Sequence, residues 1–98
     1  MCHVYASTDP LRYQSTTRSV RLQGFVTSVR LENEFWQILD QLAAGQSMTT
    51  VRFICTLHNE VKGDVRNLAS LLRVTCAVFL HEQAAAAHAM IEPMRARA

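Results

Sequence analysis

Cysteine is sparse and odd in number, with Cys2, Cys55 and Cys76 scattered over 98 residues, and no disulfide framework follows from that pattern. The chain does not open on an apolar run, so no signal peptide is expected. Its longest apolar stretch, Val74 to Leu80, is far too short to span a membrane. There is no glycine-rich phosphate loop, and neither a Ser/His/Asp set nor paired carboxylates stand in a recognisable motif, so an enzyme is not expected. Cys55 and His58, Cys76 and His81, and Cys2 and His3 lack the spacing of a zinc site, and free cysteine is a common small core residue. No metal or other cofactor is therefore expected. The sequence reads as a soluble cytoplasmic chain with no membrane partner.

What is present is one short domain. A chain of 98 residues buries only a modest share of its unfolded surface, and small folds of this size usually need disulfides, a metal or a partner chain. With the first two disfavoured, a second copy is the expected staple. The formal charge of +2 is unevenly spread. Residues 1–31 carry Arg12, Arg18, Arg21 and Arg30 against Asp9. Residues 32–64 carry Glu32, Glu34, Asp40, Glu60 and Asp64 against Arg52 and Lys62. A basic first third suits a polyanion, although charge alone is equally an ordinary solvated surface.

Hydrophobic periodicity divides the chain. Residues 1–17 show no sustained period, contain the turn-like Ser7-Thr8-Asp9-Pro10, and read as a partly extended arm. From 18 to 31, β-branched residues dominate, and Val29 and Leu31 alternate with Ser28 and Arg30, the mark of a half-buried strand. Gly24 interrupts it as a bulge or bend would. Phe35, Ile38, Leu39 and Leu42 then form a helical stripe over about 33–44, with Glu32 and Glu34 at its favourable N-terminal end and Gly45 as its stop. Ser47, Thr49 and Thr50 are cap candidates for a second helix over about 49–61, striped by Val51, Ile54 and Leu57 and broken at Lys62-Gly63-Asp64. Asn67 caps a third, with Leu68, Leu71, Leu72, Thr75 and Phe79. It is apolar nearly all round from Leu71 to Leu80, and its alanine-rich tail is expected to stop at Pro93, leaving Met94 to Ala98 loose. No internal repeat is evident.

The expected class is therefore mainly α with one short strand. A lone strand cannot leave its backbone donors and acceptors unpaired. Either residues 18–23 fold back on 25–31, or the same strand of a second subunit completes an antiparallel ribbon. The second option predicts an intertwined homodimer, whose core would draw on Val29, Leu31, Phe35, Trp36, Leu39, Ile54 and Leu57. The domain plan is an arm (1–17), a strand-and-helix domain with a third helix (18–81), and an alanine-rich helical tail, partly disordered (82–98).

The order of strand, helix, tight turn and helix resembles the ribbon-helix-helix fold of bacterial transcriptional repressors. More narrowly, residues 1–80 resemble a family of short proteobacterial ribbon-helix-helix domain proteins. Thr27-Ser28-Val29-Arg30-Leu31-Glu32, Phe35-Trp36 and Ser70-Leu71-Leu72-Arg73-Val74 carry the likeness most strongly. Leu57-His58-Asn59-Glu60 departs from it where the family usually has an acidic pair. The resemblance implies a homodimeric, DNA-binding regulator with its ribbon in the major groove, a partner being double-stranded DNA. Whether dimers pair into tetramers on DNA stays open.

On that footing Val26, Ser28 and Arg30, sharing one face of the strand, are expected to read bases. Arginine can grip guanine O6 and N7, serine several base edges, and valine a thymine methyl. Thr49 and Thr50, at a helix N-terminus that attracts anions, and Arg18 and Arg21, flanking the strand, are the expected phosphate contacts. The alternative is a protein-interaction or assembly module that uses the same fold without DNA, for which the apolar third helix leaves room.

Overall fold

The computed structural model describes residues 4–61 and 67–90, and the backbone extents of its first and last helices reach Cys2 and Arg97. The elements run α1 (Cys2–Ala6), α2 (Pro10–Tyr13), β1 (Ser15–Leu22), β2 (Phe25–Glu32), α3 (Asn33–Gly45), α4 (Thr50–Glu60) and α5 (Leu68–Arg97). Among the described residues no helix is long and apolar enough to cross a membrane.

The single strand expected over 18–31 is a hairpin. β1 and β2 pair antiparallel within the chain, from Ser15 opposite Glu32 to Leu22 opposite Phe25. Gly24, at φ +77°, makes the bend in a two-residue connection, Gln23-Gly24, a backbone angle that costs glycine little and other residues more. Of the two options for the lone strand, the fold-back of 18–23 on 25–31 is the one realised, and it starts earlier than expected, because Ser15-Thr16-Thr17, polar and short, reads as part of an arm. Those residues extend β1 far enough to pair with the whole of β2, so the ribbon's hydrogen bonds close inside one chain. The lone-strand argument for an intertwined dimer thereby loses its ground.

The residues expected to form a dimer core fill the core of one chain instead. The inner face of the ribbon buries Val20 (1% exposed), Leu22 (5%), Val29 (3%) and Leu31 (0%). Trp36, Ile38, Leu39, Leu42 and Ala43 of α3, Phe53 and Ile54 of α4, and Leu72 and Cys76 of α5 complete the cluster, with Phe35 and Leu57 half-buried against it. Burial raises the Cys76 thiol to about 11, so it packs as a neutral apolar group.

The helices begin as their cap residues dictate. Thr49 accepts a bond from the Arg52 amide at the start of α4, and Asn67 accepts one from the Ser70 amide at the start of α5. At the other end of α3, Gly45 stays within the helix, and the left-handed residue of the turn is Ser47, at φ 56°. The arm is shorter than expected and not extended. Asp9 caps α2, with Pro10 at its first position. That turn docks on α3 through Arg12 with Glu34 and through the Asn33 side-chain amide, which donates to the Leu11 carbonyl. The break expected at Lys62-Gly63-Asp64 lies outside the described residues, whereas Pro93 does not end the last helix: the backbone of α5 runs on to Arg97, so the residues expected to be loose after Pro93 continue the helix as far as Arg97.

Leu31→Asp is expected to unfold the chain, because it empties a fully buried site and places an unpaired carboxylate there, a loss of more than about 4 kcal/mol. Ser28→Ala, on the opposite face, should stay within about 0.5 kcal/mol of the parent. Gly24→Ala should cost about 1 kcal/mol from backbone angle alone, since a methyl group there meets no neighbour within 4 Å. Urea denaturation followed by circular dichroism measures all three, and equal stability of the Leu31 and Ser28 variants would mean that the inward face is wrongly assigned.

Candidate nucleic-acid interface

Cross-strand partners share a face, so the register sorts every side chain of the ribbon. Thr16, Arg18, Val20, Leu22, Phe25, Thr27, Val29 and Leu31 face the helices. Thr17, Ser19, Arg21, Val26, Ser28 and Arg30 face away, and all six are exposed; Ser15 and Glu32, the end pair of the ribbon, share their parity. The three residues expected to read bases, Val26, Ser28 and Arg30, thus stand together on the outer face. Arg21 joins them there, which moves it from the flank of the strand to its reading side.

Arg18 is placed otherwise. It lies on the inner face, its guanidinium 4.5 Å above the Trp36 ring and bound to Asp40 by two hydrogen bonds of 2.9 and 3.2 Å. Asp40 also accepts from the Thr50 hydroxyl at 2.6 Å. The Trp36 indole N–H donates to the Thr16 carbonyl at 2.8 Å. A compact knot of side chains therefore fastens β1 to α3 and α4. The phosphate contacts expected of Arg18, Thr49 and Thr50 draw no support from this placement. Arg18 and the Thr50 hydroxyl are held by Asp40, and the Thr49 oxygen caps α4. Asp40 also sets a negative charge beside that helix start.

The remaining ion pairs follow the same division. Arg12 holds Glu34 at 2.6 Å, and Arg73 of α5 holds Glu32 at 2.8 Å. Three carboxylates are thereby committed to arginines that do not belong to the outer face. The guanidinium groups of Arg21 and Arg30 make no hydrogen bond or ion pair among the described residues, although the charge of Arg30 acts on nearby Glu32. At the far end of β1 the Cys55 thiol donates to the Arg21 carbonyl at 2.7 Å, so α4 fixes the backbone from which the Arg21 side chain springs.

The chain belongs to the ribbon-helix-helix domain family. The family model matches residues 15–80, from the first residue of β1 into α5. Among solved structures, the chain is similar to an uncharacterized protein from Bordetella pertussis Tohama I. The two share 36% identity at a TM-score of 0.84, over 88% of this chain and 71% of that one. No curated protein matches the chain. The family domain is a regulator fold and not an enzyme fold.

Ser19 drew no attention as a site residue in the sequence, although its signal is there. Ser-Val-Arg-Leu occurs at 19–22 and again at 28–31. A repeat of four residues falls below the 20–50-residue periods at which repeats announce an architecture.

The arginine partners hold Glu32, Glu34 and Asp40 below the ordinary carboxylate range, in each case chiefly through a side-chain hydrogen bond. Because the folded-state values are depressed, this stability is fully present above the unfolded-state value. It is lost as pH falls through the carboxylate range toward the lower folded-state values. Asp40→Asn should lower stability at neutral pH by about 0.5–1 kcal/mol and make the loss below about pH 5 shallower. Stability measured across that range in parent and variant tests this, and parallel profiles would remove Asp40 from the account.

Proposed function

We propose that this protein is a DNA-binding regulator that lays the outer face of its hairpin in the major groove. The observation that carries this reading is the pair of arginines, Arg21 and Arg30, without an ion-pair partner among the described residues, on an exposed ribbon face whose other central positions are short side chains and whose carboxylate, Glu32 at the end of β2, is held by Arg73. A two-stranded ribbon is one of the two elements that fit the major groove, and arginine and serine are apt groups for base edges there. Family membership points the same way, since ribbon-helix-helix domains commonly belong to DNA-binding regulators. Val26, Ser28 and Arg30 are the proposed base contacts from β2.

A labelled duplex titrated with protein between about 50 and 200 mM salt should bind, with affinity falling steeply as salt rises. Arg30→Glu should weaken binding at least about tenfold while circular dichroism stays unchanged, because the residue is exposed and supports no packing. Binding equal to the parent would exclude the outer face as the contact.

A homodimer remains part of the proposal on a different footing. Val74 and Val78 of α5 are 60% and 50% exposed and stand one turn apart, with Ala77 and His81 beside them, an apolar stripe that a second copy of the helix would cover. Sedimentation at low micromolar concentration should then give two chains for the parent and one folded chain for Val74→Glu/Val78→Glu. A parent that runs as a folded monomer would discard the dimer and leave the ribbon proposal standing.

A further inference from the structure

Ribbon-helix-helix domains typically bind DNA as dimers, and in a dimer of this chain each copy brings a hairpin, so the interface has four strands to place. Backbone hydrogen bonding orders them. The Asn33 amide donates to the Gln14 carbonyl at 2.8 Å, one step beyond the pair of Ser15 and Glu32. Bonded and unbonded pairs alternate along antiparallel strands, so the odd residues of β2 bond to β1 and the even ones do not. The N–H and C=O groups of Val26, Ser28 and Arg30 therefore point to the far edge of β2, where no described residue meets them. An open edge of this kind is a template for another strand. The corresponding edge of β1 is taken up by α4, whose Cys55 thiol holds the Arg21 carbonyl. Phe25, 53% exposed although it belongs to the inner face, lines a groove beside the β2 edge with Asn67, Leu68 and Ala69. Asn67 lies two helical turns before Val74, on the same side of α5, so the edge and the exposed valine stripe form one continuous surface. An antiparallel seam centred on Ser28 pairs the free edge groups and sets each Arg30 opposite the partner's Val26, with no like charges facing.

Joined in this way, the strands run β1-β2-β2-β1 across the two-fold axis. Neighbouring strands lie about 4.8 Å apart, so the two β2 strands fit side by side in a major groove about 12 Å wide. The two β1 strands are then about 14 Å apart and come down on the groove walls, where the phosphates are. The outer face of the hairpin is thereby divided between two tasks. We infer that β1 and α4 form a phosphate-binding flank anchored by Arg21 and Arg52, and that base reading is confined to β2. Arg52 precedes Cys55 by three residues, so it stands on the side of α4 that meets β1. It is exposed, and its guanidinium makes no hydrogen bond or ion pair among the described residues. Ser19, two residues before Arg21 on the same face, adds a hydroxyl to the flank. The inference rests on the DNA-binding and homodimer proposals above. It gives Arg21 and Arg30 different roles because they stand at different distances from the two-fold axis.

Phosphate and base contacts respond differently to salt and to sequence. The parent, Arg21→Ala, Arg52→Ala and Arg30→Ala are titrated between about 50 and 200 mM salt on a duplex that the parent selects from random sequence and on random duplex, with circular dichroism confirming that each is folded. Arg21→Ala and Arg52→Ala should each weaken binding about tenfold on both duplexes alike and lower the salt slope by about two, one phosphate per copy. Arg21→Lys should restore the slope, since an ammonium group binds phosphate as a point charge. Arg30→Ala should lose at least about tenfold more on the selected duplex than on the random one. Selection repeated with Arg21→Ala should return the parent's site. A different site would mean that β1 enters the groove, which overturns the inference and leaves DNA binding intact. Parental affinity and slope in Arg21→Ala or Arg52→Ala overturns it as well. One chain per duplex in sedimentation of the complex would remove the dimer and the flank with it, with the ribbon proposal still standing. A parent that binds no duplex at all discards both proposals.

Discussion

The fold depends on the register that the Gln23-Gly24 turn imposes on the hairpin. With Leu22 facing Phe25, every later pair is determined, and a slip of one residue would move Val29 and Leu31 from the core to solvent. Four apolar side chains on the inner face, two from each strand, hold the register against such a slip. With it fixed, the outer face is fixed as well, because alternation leaves those positions no other direction. The candidate interface is in this sense a by-product of core packing, and the same valines and leucines that hold the ribbon on the helices aim Arg21 and Arg30 outward.

A second device keeps the ribbon from rocking on that core. Arg18 is the one inner-face residue of β1 that carries a charge, and it is accommodated by extending past the apolar residues to Trp36 and Asp40. Asp40 in turn takes the Thr50 hydroxyl, so one carboxylate joins β1, α3 and the start of α4. Since the groups remain partly exposed, the pair contributes little to stability by itself. Its effect is on position: it sets the distance between the ribbon and the first turn of α4, while Cys55 sets the position of the same helix against the other end of β1.

Much of this could be read from the chain, and the failures share one origin. α3 and α4 were legible because their apolar stripes are long and their caps conventional: Phe35, Ile38, Leu39 and Leu42 in one, Thr49 ahead of Ile54 and Leu57 in the other. The outward direction of Ser28 and Arg30 followed from alternation with Val29 and Leu31. The hairpin stood only as one of two options, although its sign is in the numbering. Val20 and Leu22 are even and Val29 and Leu31 odd, so one continuous strand would point the two pairs to opposite faces. A change of parity across a glycine is what a turn produces. Reading Gly24 as a bulge within one strand hid that change and, with it, the second copy of Ser-Val-Arg-Leu. It also gave Arg18 and Arg21 the same flanking role, when their opposite parity places one under the ribbon and the other on top.

That difference between neighbouring arginines explains how a chain of formal charge +2 can present a basic face. Glu32, Glu34 and Asp40 cluster where the ribbon meets α3, and each is matched by an arginine from another element: Arg73 from α5, Arg12 from α2 and Arg18 from the inner face of β1. Neutralised in place, these carboxylates set up little field of their own beyond about a Debye length. Arg21 and Arg30 face the other way and have no such partner among the described residues, so the net charge of the whole chain understates what an approaching polyanion would meet at the ribbon. The pairing of acids with bases on the helical side is therefore part of how the outer face acquires its sign. An arginine lost from the helical side would be felt at the ribbon as a carboxylate released, even though it touches nothing there.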